Sequence, residues 1–244
     1  MDKTKKISVI IPVFNAEDFL EDALRSIFEQ NYQNMEIIVV DDGSTDDTDV
    51  LLQKYGEEIH CIRQENRGPS AARNRGLQIA TGELIAFLDA DDEWSKTKIK
   101  LQLSQMKSDD SLEIVVGKLR RFWTEKKLDR TERHYIDEGT KVLHLGASLF
   151  KREAFEKIGL FDENLLHGED WDWFIRAKDS GLKIGMFPDV VMYQCLHQNN
   201  LTRNREEGNQ NILKMLKKNI DRRIENGDGA VESFKEFERK FSED

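Results

Sequence analysis

The stretch Leu84-Ile85-Ala86-Phe87-Leu88-Asp89-Ala90-Asp91-Asp92 constrains the fold of this chain more than any other. Five apolar residues run directly into three carboxylates. An apolar run of this length reads as a strand buried on both faces, the usual condition inside a parallel sheet. Open α/β sheets bind ligands beyond the C-terminal ends of such strands, where these carboxylates stand. Asp89 and Asp91 are two apart, which places both on one face of an extended chain. Like charges on one face repel unless something positive lies between them. A hard divalent cation of the Mg2+ type fits, held by one or two carboxylates and substrate phosphates. A solvated acidic turn with Asp92 or Ser95 as a helix cap fits the same residues, so the rest of the chain decides.

The residues before this stretch repeat its logic. Residues 7–11 form a β-branched first strand that ends at Pro12. A helix follows, with Phe19, Leu20, Ala23, Leu24, Ile27 and Phe28 at helical spacing and Asn15 or Asp18 as its cap. Residues 36–40 form a second buried strand and run into Asp41-Asp42-Gly43-Ser44. A helix reaches Tyr55, and residues 59–62 make a short third strand. Ser70 caps a helix over 71–79 that carries Arg73, Asn74 and Arg75 in its early turns. Basic residues there oppose the helix dipole and call for an anionic partner. The alternation of strand and helix over residues 7–89 predicts an α/β fold with a doubly wound, Rossmann-like, mostly parallel sheet.

Beyond Asp92 the pattern predicts a helix over 94–106, a strand over 111–124, a polar loop or hairpin over 125–141, a strand over 146–150 and a helix over 152–158. Gly168-Glu169-Asp170-Trp171-Asp172-Trp173 opens a further helix, and short strands at 183–187 and 190–193 flank Pro188. Residues 204–244 read as an amphipathic helical tail packed on the domain or on a partner, fraying over 231–244.

The net charge of -10 argues against a nucleic-acid partner, whose footprint is a basic patch. No apolar run has the length of a membrane span, and the first residues lack the pattern of a signal peptide. Cys61 and Cys195 alone imply a reducing compartment. These features predict a cytoplasmic protein and leave room for a peripheral contact at the inner face of a membrane and for a homodimer. The dinucleotide fingerprint, the P-loop and zinc-finger spacings are all missing from the sequence. Carboxylates, a metal and one histidine are left to do the chemistry.

Pro12-Val13-Phe14-Asn15, Val40-Asp41-Asp42-Gly43-Ser44-Thr45-Asp46, Gly68-Pro69-Ser70-Ala71-Ala72-Arg73-Asn74-Arg75-Gly76 and Leu88-Asp89-Ala90-Asp91-Asp92 occur in that order, with Glu169-Asp170 downstream. Together they resemble the successive motifs of family 2 glycosyltransferases, over residues 7 to about 200. The resemblance implies a GT-A fold. Its catalytic domain would span 1–203, with a nucleotide-binding half at 1–92 and an acceptor-binding half at 93–203. Pro12, Phe14, Asn15 and Asp42 would hold the base and ribose of a nucleotide sugar, and Gly68 and Arg73 would line the same pocket. Asp89 and Asp91 would bind ribose and, through Mn2+ or Mg2+, the diphosphate. Asp170 would be the general base, with Glu169 sharing its site. His197 resembles the histidine of a C-terminal family segment that reaches the metal, although Gln194 stands where that segment commonly has arginine. One of Trp171 and Trp173 would stack on an acceptor sugar. The Gln-x-x-Arg-Trp motif of processive members is missing, which implies transfer of a single sugar, by one-step inversion, to a carbohydrate or lipid-linked acceptor in polysaccharide or glycoconjugate synthesis. UDP is the default donor nucleotide. A nucleotidyltransferase is the alternative enzyme, and a non-catalytic nucleotide-sugar-binding scaffold the alternative of another class.

Overall fold

The computed structural model describes residues 4–124, 133–165, 167–197 and 205–225, with side chains over 214–224 in the last segment. Residues 125–132 of the polar stretch, Asn199 and Asn200, and the end expected to fray lie outside the described residues.

Strands β1 (Ile7–Val13), β2 (Met35–Asp41), β3 (His60–Arg63) and β4 (Leu84–Phe87) alternate with helices α1 (Leu20–Phe28), α2 (Thr48–Gln53) and α3 (Pro69–Ile79). The chain continues through β5 (Glu93–Trp94), α4 (Lys98–Ser108), β6 (Ile114–Trp123), β7 (His134–Tyr135), β8 (Thr140–Lys141), β9 (Ser148–Lys151), α5 (Arg152–Ile158), α6 (Glu169–Asp179), β10 (Ile184–Leu196) and α7 (Arg205–Glu225). The sheet order is β3-β2-β1-β4-β9-β6-β10-β5, with β7 and β8 pairing on β6. β1 to β4 pair in parallel, β9 enters antiparallel between β4 and β6, and β6 and β10 are parallel to each other. The expected mostly parallel, doubly wound sheet is therefore present, with one reversed strand at its centre.

Alternation along each strand sorts the core into two layers. Ile10, Ile38, Val40, Ile85 and Phe87 pack in one layer with Ala72, Phe155 and Phe174. Val9, Ile11, Ile37, Val39 and Ala86 pack in the other with Leu24, Ile27 and Ile99. Each valine, leucine, isoleucine or phenylalanine among them, fully buried, is worth roughly 1.5–3 kcal/mol.

Three local expectations change. The helix expected from residue 94 begins at Lys98, because Glu93 and Trp94 pair antiparallel with Tyr193 and Met192. Trp94 is buried there, its backbone N–H donating to Ser26 Oγ at 3.0 Å. The two strands expected around Pro188 are one, β10, whose register to β6 shifts between Met186 and Val190. Proline lacks a ladder donor, and an irregularity in the register is where a sheet tolerates it. The helix expected to start after Ser70 is capped at Gly68 with Pro69 in its first turn, where a missing N–H costs nothing.

At the sheet end opposite the strand C-termini, Glu36 accepts from Lys6 Nζ at 2.7 Å and from the Thr81 backbone at 2.6 Å, and also from the Ser8 hydroxyl. Burial alone would raise its pKa, but these hydrogen bonds outweigh it and hold the group at about 2, against an ordinary 4.5. The stabilisation is therefore present above about pH 4.5 and lost as the pH falls towards 2. Glu36→Gln is expected to remove about 1–2 kcal/mol at pH 7, the difference shrinking as the pH approaches 2. Urea unfolding at pH 7 and pH 3 measures it, and equal losses at both would contradict the assignment.

The tail is packed on the domain. Met215 is buried, Arg222 pairs with Asp172, Lys218 pairs with Asp162, and Arg223 meets Asp179 at 2.9 Å. Among the described residues, no helix is long and apolar enough to cross a membrane.

Candidate active site

Two groups of side chains gather at the C-terminal ends of the parallel strands, and α3 joins them. The first surrounds Asp42, just beyond β2. Its carboxylate is buried and accepts from the backbone N–H of Arg67 at 3.0 Å, that of Gly68 at 2.7 Å, and Gln64 Nε2 at 2.8 Å. Gly68 adopts φ +86°, a conformation glycine allows without strain, and turns the chain into α3. Asn15, expected as a cap for α1, instead takes φ +49° and accepts the Thr45 N–H at 2.8 Å, while its own N–H donates to Ser44 Oγ. The loops after β1 and β2 are thus tied together beside Pro12, which is buried in β1, and Phe14, which is 49% exposed.

The second group is built on Arg73, one turn into α3. Its guanidinium is buried and donates to Glu169 Oε1 at 2.6 Å and to Asp89 Oδ1 at 2.7 Å. These are the anions its place near the helix start required. Burial opposes the charge on Arg73, but Asp89 and Glu169 outweigh that and drive its pKa upwards. The same pairing outweighs burial at Asp89 and lowers its pKa. Asn74 aligns the far side, exchanging hydrogen bonds of 2.9 Å with the Phe161 backbone in the loop that leads to α6.

Glu169 and Asp170 lie in the first turn of α6, where the helix dipole favours carboxylates. Asp170 Oδ1 accepts the Trp171 N–H at 2.8 Å. Burial, with Glu169 adding to it, raises Asp170 to about 7. Trp173 is core, and Trp171 is partly buried against the same cluster.

Asp91 Oδ2 lies 3.0 Å from His197 Nε2, and the His197 ring stacks on Phe19 at 4.6 Å. Arg121, on β6, donates to Gln194 Oε1 at 3.2 Å, so a guanidinium stands beside position 194 from the adjoining strand. Asp92, expected as a helix cap, is buried and accepts the Cys195 N–H at 2.9 Å. Burial together with Asp91 and Asp89 raises its pKa well above the usual carboxylate range. One atom each of Asp89, Asp92 and His144 lie within 4.8 Å of one another. His144 was not legible as a site residue in the sequence, since it precedes a short strand without any motif around it. Carboxylate oxygens with an imidazole suit Mn2+ and related cations; the expected ligands Asp89, Asp91 and His197 are of that chemistry, but of the three only Asp89 belongs to this group, while Asp91 and His197 meet each other.

The sequence model of glycosyl transferase family 2 matches residues 8–159. TuaG of Bacillus subtilis (strain 168), a glycosyltransferase named for teichuronic acid biosynthesis, is 45% identical over 104 residues, which cover 41% of each chain. The crystal structure of S. aureus TarS 1-349 in complex with UDP-GlcNAc superposes with a TM-score of 0.70 at 21% identity, covering 86% of this chain and 65% of that 1-349 chain. Mannosyltransferase PcManGT from Pyrobaculum calidifontis, in complex with GDP-Man and Mn2+, superposes at 0.69 with 22% identity, covering 98% of this chain and 68% of its own. Both have the GT-A fold. The chain spans only part of its curated relatives: those aligned over 182 to 233 residues are covered for 29% to 67% of their own length.

Proposed function

The chain belongs to glycosyltransferase family 2, and on that premise we propose that it transfers a single sugar from a nucleoside-diphosphate sugar to an acceptor hydroxyl, with inversion at the anomeric carbon. The observation that carries this reading is the Arg73 bridge. It joins Asp89, at the end of the acidic strand, to Glu169, beside Asp170. A donor-binding carboxylate and a base with a pKa near neutrality are thereby held in one site.

In this reading the loops around Asp42, Asn15 and Gly68 take the base and ribose, with exposed Phe14 and Pro12 at the rim of that pocket. Asp91 and His197, with Asp89, would hold the cation, which when bound neutralises charge on the departing diphosphate. Arg121 adds a fixed positive charge on the same side. Asp170 takes the proton of the attacking hydroxyl, and Glu169 raises its basicity through its own charge. UDP-GlcNAc in TarS and GDP-Man with Mn2+ in PcManGT support a nucleotide-sugar donor and a divalent cation. The TuaG name supports an acceptor in polysaccharide synthesis.

Calorimetric titration of UDP and GDP, each with and without Mn2+, tests the reading. One nucleotide should bind at least tenfold more tightly with the metal, and His197→Ala should erase most of that gain, since even losing a group that supports a ligand typically costs about 10–100-fold in metal affinity. A folded protein that binds neither nucleotide would remove the basis of the proposal.

A further inference from the structure

We propose that His144 selects and orients the transferred sugar by donating its Nε2–H to one of the sugar's hydroxyls. The inference rests on the donor reading above and deepens it.

The ring is held in one tautomer. Its Nδ1 accepts the Gly146 N–H at 3.1 Å, so Nδ1 carries a lone pair and the neutral ring keeps its proton on Nε2. Among the described residues, Nε2 makes no hydrogen bond. The side chain is half-buried near Asp89, Asp91, Arg73 and Arg121. A neutral imidazole is a weak partner for a diphosphate. It suits an uncharged hydroxyl, and the arrangement around it suits a hydroxyl further. A sugar hydroxyl donates one hydrogen bond and accepts others. A carboxylate oxygen of Asp89, within 4.8 Å of the imidazole, is the acceptor, and Nε2–H is the donor.

The turn carrying His144 is fixed before any ligand arrives. Trp94 Nε1 donates to the Gly146 carbonyl at 3.1 Å, Gln102 Nε2 to that of Ala147 at 2.9 Å, and Lys98 Nζ to that of Ser148 at 2.8 Å. Three buried side chains from β5 and α4 thus grip three consecutive carbonyls. Burial pushes the Lys98 amine well below its ordinary pKa, and this deep setting is a costly one for a lysine. The grip fixes the backbone from which His144 projects. Ordering a contact residue in advance is what a selective site needs.

The test compares wild type with His144→Leu, His144→Asn and His144→Gln, by calorimetry with Mn2+. The probes are UDP-GlcNAc against UDP, and GDP-mannose against GDP. A glutamine amide nitrogen reaches the position of Nε2, whereas an asparagine amide reaches only that of Nδ1. Leu and Asn should weaken the preferred nucleotide sugar by about three- to tenfold, with its bare nucleotide unchanged within about twofold. Gln should restore most of the loss. Asn remains informative if Leu fails to fold, and retained binding of the bare nucleotide certifies each variant. Equal losses for sugar and bare nucleotide, with loss of the Mn2+ effect, would make His144 a metal ligand and overturn the proposal. Unchanged sugar binding in Leu and Asn would overturn it too, leaving the donor reading intact. A wild type that binds no nucleotide would sink both.

Discussion

Asp170→Asn is expected to lower kcat by about 10^2–10^4-fold while nucleotide affinity in the presence of Mn2+ stays within about threefold. The asparagine keeps the shape, can still accept the Trp171 N–H, and removes only the capacity to take a proton. The pH profile carries the same information. Burial and Glu169 place the Asp170 pKa at about 7, and a general base must be ionised to act. Wild-type kcat should therefore fall about tenfold per pH unit below 7 and level off above it. The residual rate of Asp170→Asn should lack that acidic limb. Transfer assays with a nucleotide sugar over pH 5 to 9 measure both, and an Asp170→Asn enzyme with full turnover would end the assignment.

The largest effect on stability is expected from Arg73→Met. Methionine fills much of the volume but leaves Asp89 and Glu169 facing each other without their cation. Removing one partner from a buried ion pair costs about 3–5 kcal/mol. The pH dependence has a definite sign. With Arg73 present, Asp89 sits below its ordinary pKa, so its contribution is present at neutral pH and fades as the pH falls. Without Arg73, burial is left to raise Asp89, so the variant gains a proton on folding and weakens as the pH rises. Urea unfolding should show a larger deficit at pH 7.5 than at pH 5, and Glu169→Gln added to Arg73→Met should recover part of it. A loss under about 1 kcal/mol that does not change with pH would mean that the bridge contributes little.

Strands β1, β2 and β4 were readable because each is an apolar run, and β2 and β4 lead into carboxylates; Pro12, the expected stop of β1, lies within the strand, which continues to Val13. β5 was not readable, since two residues held by one antiparallel neighbour leave no periodic trace and Trp94 fits a helical pattern equally well. Pro188 suggested a break because proline ends a ladder, yet a register shift in β10 absorbs it. Within the site, Arg73 announced itself through its unfavourable place near a helix start, and the structure supplied the two anions it needed. Asp92 and Asn15 looked like caps because their side chains suit that role. Their partners, the Cys195 N–H and the Thr45 N–H, come from strands and loops far along the chain. His144 and Arg121 could not be found from sequence, because only the pairing of β6 with β10 and the 145–147 turn give them neighbours.

The sheet order also has a consequence in time. β3, β2, β1 and β4 are complete once residue 87 has been made, but β4's other neighbour, β9, begins at residue 148. At roughly 5–20 residues per second, the growing chain spends on the order of 3–12 seconds with Leu84 to Phe87 bordered on one side only. Arg73 can meet Asp89 within that interval, but Asp91 and Asp92 wait for His197 and the Cys195 N–H until nearly the whole domain has emerged. The acidic end of β4 is thus incompletely neutralised while its edge is open, and repulsion between such nascent chains opposes strand-to-strand association during synthesis.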